Sequence, residues 1–350
     1  MSTLQQLRVH AIAESLFKPT TLKAALDRMS FVQADPIQSP ARAQDLILRH
    51  RVRSYRVGQL DRQYPDLEIE EDILYAYGFL PRRVWHLLQP RQPAGLGQLE
   101  RKVLEAVTQF GQTHPRDLQA HLGRRRVVND WGGYSVATTR TLERLHLRGL
   151  LRIARREKGI RVYEPARPYD LALSSHERLR KLILTIAGIL APVPERVLRS
   201  QVTRYRRWGN PRSAVDAALR TGELERQVVD GVAYLWPSTR RRFDESPNQV
   251  RFLAPFDPLV WDRRRFEHFW GWSYRFEAYT PLAKRVRGYY AMPLLWRDNV
   301  IGWTNVGLRD GHVSVEPGFV GKRPSEPAFR REFEREVESL KAFLGLESGG

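Results

Sequence analysis

The chain has 350 residues, and its 58 basic and 39 acidic side chains give a formal net charge of +19, a length suited to two or three domains of ~100–200 residues each. Its 42% hydrophobic content, with nine Trp and 14 Phe, is enough for real cores, while zero Cys excludes disulfides, zinc fingers, iron–sulfur clusters and thiol catalysis together. No stretch approaches the ~18 uninterrupted apolar residues of a membrane span, and Met1–Thr3 leads into polar Gln5 and Gln6 without a signal-peptide pattern, so a cytoplasmic, nucleoid-associated protein is expected.

Helical patterns come first, at Leu4–Leu16, Leu22–Met29 and Arg42–His50. Between the second and third lies FVQADPIQSP. There Gln33 and Asp35 alternate with Val32 and Ala34 in a short extended segment that Pro36 ends. A period of two puts the amide and the carboxylate on one side of the chain, where together they can hold and activate one water. The plainer reading is a turn in which Asp35 serves as an Asx-turn or cap residue.

Two later stretches share one grammar. The first is helical at Leu99–Phe110, at Pro115–Leu122 with Thr113 as its expected cap, and at Ala137–Arg148. Strands follow at Leu150–Ala154 and Arg161–Tyr163. The second copy runs Glu177–Leu190, Glu195–Tyr205 and Pro211–Arg220, then strands Leu224–Val229 and Val232–Trp236 around an Asp230-Gly231 hairpin turn. Helix–helix–helix–hairpin is the winged-helix plan, whose third helix can enter a DNA major groove.

From Val250 to Val320 the chain turns to short β-rich segments (YRFEAYT, RGYYAMPLLW, NVIGWTNVGL, HVSVEPGFV), and a helix at Pro327–Leu344 closes it. The expected fold is therefore α+β and multidomain: tandem winged-helix (helix-turn-helix) domains, then a small C-terminal antiparallel β-barrel and a terminal helix. The expected domains are 1–95 (a divergent winged helix with the Gln33/Asp35 segment), 96–168, 169–246 and 247–350.

Of the 58 basic residues 8 are Lys, leaving 58 − 8 = 50 Arg. Arg grips phosphate with a rigid fork and stacks on rings, so the natural partner is a polyanion. Codon bias could set the Arg/Lys ratio but not the surplus of positive charge. Expected DNA contacts are Arg42, the run Arg124-Arg125-Arg126, then Thr139, Arg140 and Arg144 on the third helix of the first copy, Arg204 and Arg207, and the Lys284-Arg285 pair; Arg240-Arg241-Arg242 is a further basic run. Any single run is equally compatible with a solvated face. A phosphate-binding Gly-rich loop, a Gly-x-Ser-x-Gly elbow and a His-Glu-x-x-His helix are all absent, so no metal, cofactor or nucleotide is expected.

The segment at Gln33 and Asp35, followed by TTRTLERLHLRGLLRIARREKGIRVYEP, LAPFDPLVWDRRR, FEAYTPLAKRVRGYY and MPLL, resembles the winged-helix crosslink-repair DNA glycosylases, the YcaQ/AlkX/AlkZ-like family. The blocks cover most of the chain in the family's order. The resemblance implies tandem winged helices with a C-terminal barrel, catalysis by the motif that Gln33 and Asp35 match, and action on N7-alkylated purines and on interstrand crosslinks. The chain departs from the family pattern at three places. Gln44-Asp45 follow Arg42 where relatives often carry paired His, Tyr75-Ala76-Tyr77 replace Trp-Ala-His, and Asn305 stands where an Asp is expected.

On this reading the chain is a monofunctional glycosylase, probing double-stranded DNA as a monomer without membrane or nucleotide. Asp35 activates water and stabilises the sugar cation while Gln33 positions the water. Lyase chemistry needs an amine nucleophile, and the lysines nearest the motif, Lys18 and Lys23, show no special setting. Two other readings compete: a non-catalytic winged-helix transcriptional regulator, and a protein-partner scaffold.

Overall fold

Local capping chemistry sets the limits of the first elements. Thr21 Oγ1 accepts the Ala24 N–H to open the helix Leu22–Met29. Ser30 ends it in the left-handed region at φ 60°, its N–H returning to the Leu26 carbonyl. The chain then runs straight into the two-residue strand Val32–Gln33.

The computed structural model of the protein describes residues 3–89, 95–128, 132–166, 173–239, 247–309 and 311–346. It is a mixed α and β chain that forms two compact units, one of Met1–Gln59 with Ser174–Gly350, the other of Leu60–Leu173. The expected boundary at 95/96 is thus not where the compact units divide: residues 60–89 belong with the hairpin and helices that follow them. Buried acidic residues explain why. Glu70, Glu71 and Asp72 lie on the strand Ile69–Ile73, all but inaccessible to solvent. Glu70 receives Arg152 Nε at 3.0 Å and Arg82 Nε at 3.2 Å, Glu71 receives Arg156 Nε at 2.8 Å and the Tyr77 hydroxyl at 2.8 Å, and Asp72 receives Trp85 Nε1 at 2.8 Å. A buried carboxylate needs such partners, and two of these five, Arg152 and Arg156, come from the hairpin Leu151–Glu157/Ile160–Pro165 of the same unit.

The smaller unit holds the helices Gln98–Phe110, Pro115–Leu122 and Ala137–Leu147 before that hairpin. An additional short hairpin, Arg126–Val128 with Tyr134–Val136, separates the second and third helices, a feature the helical periodicity does not signal. The cap of the second helix is His114, whose Nδ1 accepts the Arg116 N–H, rather than Thr113. Thr113 is occupied elsewhere, its backbone exchanging hydrogen bonds of 2.7 and 3.0 Å with Tyr163.

The larger unit repeats the three-helix order with Ser175–Ile189, Glu195–Val202 and Pro211–Arg220, then pairs Leu224–Val229 with Val232–Pro237. The Asp230-Gly231 turn has φ of 48° and 76°, the positive pair that a type I′ hairpin requires. The segments Arg240–Arg242 and the boundaries near 168 and 246 lie outside the described residues.

The expected barrel is half of one: an open antiparallel sheet in the order Val250–Phe252, Met292–Trp296, Asn299–Arg309, His312–Phe319. Tyr274–Thr280 adds no strand to it, because its groups are used otherwise; the Tyr274 hydroxyl donates to the Ala291 carbonyl at 2.7 Å and the Thr280 N–H turns back to Glu277. Rings of Phe266, Phe269, Trp270, Trp272 and Tyr274 pack with Leu7, Ala11 and Ile12 of the helix Thr3–Ser15 in one core. The helix Pro327–Leu344 lies along Val250–Phe252, burying Phe329, Leu340 and Phe343. No described helix is long and apolar enough to cross a membrane, and no group of three or more His, Asp or Glu among the described residues could hold a metal.

Candidate active site

Phe31 and Val32 plunge into the core at 1% exposure each, which leaves Gln33 and Asp35 half-buried at its margin. Asp35 Oδ1 accepts the Ile37 N–H at 3.0 Å, so the Asx-turn foreseen as the plainer alternative is present. It uses one oxygen. Among the described residues Asp35 Oδ2 has no hydrogen-bond partner. Burial raises the Asp35 carboxyl above the usual carboxylate range, against the lowering effect of the Ile37 N–H. The Gln33 amide oxygen is buried and likewise accepts nothing from the described residues. A buried acceptor without a donor calls for a partner from outside the chain.

Two further residues complete the surroundings. Gln44 sits in the helix Ala43–Leu48, every residue of which is buried, and its Oε1 accepts the Asp35 N–H at 3.4 Å. Tyr290, two residues before the strand Met292–Trp296, is 4% exposed with an unpartnered hydroxyl. Burial first, and the Asp35 charge second, push its phenol well up, so it stays a neutral O–H donor.

Tyr290 also lines a groove of about 860 Å³ beside Ser39. Arg285, Arg287 and Arg309 lie along that groove with Glu316 as the one carboxylate among its described lining residues. Asn305 shapes the floor by donating its Nδ2 to the Arg287 carbonyl at 2.7 Å. An Asp at that position would offer no hydrogen to donate. At Gly288, φ is 131° and an added Cβ would fall 2.2 Å from Asn305 Oδ1, so the close approach requires glycine.

The expected DNA contacts are distributed over both units. Lys284 is exposed near the groove, and Arg285 stacks over Tyr289 at 5.0 Å. Arg42 is half-buried at the start of the helix Ala43–Leu48. Arg204 bonds Gln201 at 3.2 Å and Arg207 covers Trp208 at 4.6 Å, both in the turn Thr203–Trp208. In the smaller unit Arg124, Arg125, Arg126 and Arg144 are exposed and pair with no carboxylate among the described residues. Arg140 donates to the Val128 carbonyl at 3.0 Å and Thr139 accepts from Gln119 at 3.3 Å. On the same helix Thr138 faces the core at 2% exposure and Arg148 is paired with Glu100 at 3.0 Å, so neither faces outward freely.

The family model of AlkZ-like DNA glycosylases matches residues 26–343. Among solved structures the chain is similar to the DNA glycosylase AlkZ of Streptomyces sahachiroi, with a TM-score of 0.60, 14% identity, and 99% of this chain and 97% of that chain covered.

Proposed function

From the membership of this chain in the AlkZ-like DNA glycosylase family, we propose that it hydrolyses the N-glycosidic bond of N7-alkylated purines in double-stranded DNA, interstrand crosslinks included, with Asp35 and Gln33 as the catalytic pair. The observation that carries this reading is a carboxylate with one uncommitted oxygen, raised by burial, whose charge is felt by Tyr290 in the lining of a groove with three arginines.

An N7-alkylated purine is already cationic and leaves without strong protonation. The harder tasks are supporting positive charge on the sugar as the bond stretches and delivering water to C1′. The ionised Asp35 does both: its field favours the oxocarbenium-like transition state, and Oδ2 takes a proton from the attacking water. A carboxyl raised by burial is a stronger base than one in water, which suits the second task. The Gln33 amide oxygen accepts a hydrogen of the same water and fixes its orientation, without serving as a base.

Lys18 and Lys23 are exposed, and a Schiff-base lysine needs a desolvated setting to lower its pKa. We therefore read the enzyme as monofunctional, leaving an abasic site. The two three-helix-and-hairpin arrangements are read as winged helices that bring Arg144 and the Arg124–Arg126 run to duplex phosphates.

The test is single-turnover release of N7-methylguanine and unhooking of a crosslinked duplex by the wild type and Asp35→Asn. The expected loss is about 10²–10⁴-fold with DNA affinity nearly unchanged. Equal rates in the two proteins would remove Asp35 from the mechanism, and sequence-specific binding without release would make the chain a regulator instead.

A further inference from the structure

Next to the groove the chain displays apolar side chains where solvent should discourage them. Leu282 is 78% exposed, Val286 78% and Tyr279 79%. Single exposed hydrophobics are ordinary, but a cluster on one short loop marks a contact surface.

This loop is also held in shape. Glu277 Oε2 accepts three consecutive N–H groups, from Val286 at 3.0 Å, Arg287 at 2.8 Å and Gly288 at 3.2 Å. Arg285 Nε donates to the Thr280 carbonyl at 2.8 Å, and the N–H of Lys284 returns to Pro281 at 2.9 Å. The exposed aliphatics therefore stand on a fixed backbone, so little ordering is needed when they meet a partner.

Charge identifies that partner. Lys284 and Arg285 separate the two aliphatics in sequence, and Arg287 and Arg309 flank them along the groove. Apolar tips set among cations match a duplex, whose stacked bases lie between two rows of phosphates. We propose that the loop from Tyr279 to Tyr289 is a wedge for duplex DNA: Leu282 and Val286 enter between base pairs while Lys284 and Arg285 hold the adjoining phosphates. This rests on the reading of the partner as double-stranded DNA. It adds a means of opening the stack near Asp35, because Leu282 and Val286 line the same groove as Tyr290, which feels the Asp35 charge. A lesion tethered to the opposite strand cannot swing fully into a closed pocket, and a wedge exposes its C1′ without that extrusion.

The experiment uses the full chain and a duplex bearing 2-aminopurine next to N7-methylguanine. Binding is followed by fluorescence in the Asp35→Asn background, where the base stays attached. The expected result is a rise in 2-aminopurine emission that Leu282→Ser/Val286→Ser abolishes and Leu282→Met retains. Both positions are exposed, so thermal melting should be unchanged. In the otherwise wild-type chain the serine pair should slow base release roughly 10²-fold through misplacement of the lesion. Equal emission with and without the serine substitutions overturns the wedge. So does weakened binding with no emission from the parent, which would make the loop a groove-surface contact. If the wild type releases no base while emission still depends on Leu282 and Val286, the glycosylase reading fails and the wedge stands.

Discussion

At Asp35 two influences oppose each other: burial lifts the carboxyl, and the Ile37 N–H pulls it back, with a net rise. As the proposed base, Asp35 would work only when ionised, so activity is expected to grow as pH rises through its pKa. The acid limb of kcat/KM should therefore lie above the ~3.9 of an ordinary Asp, and it should vanish from the residual activity of Asp35→Asn. A pH–rate profile with its acid limb at the ordinary value would show that burial does not tune this group. The amide and carboxylate could be picked out from the sequence because they lie two residues apart before Pro36, although the strand itself ends at Gln33. Tyr290 could not, because only folding brings residue 290 near residue 35. The departures from the family pattern acquire physical roles at this scale. Gln44 accepts from the Asp35 backbone, Asp45 Oδ1 accepts the Tyr55 hydroxyl at 2.8 Å and the Gly58 N–H at 3.0 Å, and Asn305 donates to the Arg287 carbonyl. Tyr77, by contrast, serves the smaller unit, giving its hydroxyl to Glu71 beneath the Arg161 guanidinium.

Among the elements, helices with local start or stop signals and the Asp-Gly hairpin follow directly from local chemistry; Leu22–Met29, Pro115–Leu122 and Pro211–Arg220, with side-chain caps, and Pro327–Leu344, with Pro at its start and Gly345 after its end, keep their expected limits. Segments rich in β-formers but pinned by side-chain bonds do not, and the loop after Tyr274 is the clearest case. Its form depends on Glu277, whose carboxyl is raised by burial and lowered further by the three N–H groups, for a net depression. A depressed carboxyl contributes stability above its unfolded pKa of about 4.3, and that contribution is lost as pH falls through the folded value. Glu277→Ala should accelerate amide hydrogen exchange at residues 286–288 by about tenfold or more at neutral pH, since hydrogen bonds to a charged group contribute ~1.5–3 kcal/mol. Unchanged exchange there would mean that the loop keeps its shape by other means.

For the whole molecule, distant ion pairs decide how the chain is assembled. Arg51 and Asp257 are both fully buried and meet at 2.8 and 3.0 Å across 206 residues of sequence, while Arg49 reaches Glu336 across 287. Removing one partner strands a buried charge, so Arg51→Met should lower unfolding stability by about 3–5 kcal/mol. A denaturant midpoint unmoved by that change would show that Asp257 finds water or another donor. The net charge of +19 acts at the same scale. If six phosphates are neutralised, duplex affinity should fall ~10³-fold between 50 and 200 mM salt, as a log–log slope will show. A flat slope would be the mark of the protein-partner scaffold.

The sequence by itself determined most helices, the hairpin turn and the surplus of positive charge, because periodicity, caps and composition are local properties. Tertiary structure alone decided that the larger compact unit closes after Gln59 and resumes at Ser174, that Glu70 and Glu71 are structural ion-pair centres, and that Tyr290 and the arginine-lined groove lie by the carboxylate. Those outcomes depend on which charges are buried against which, and burial is a property of the folded chain that no short stretch of residues encodes.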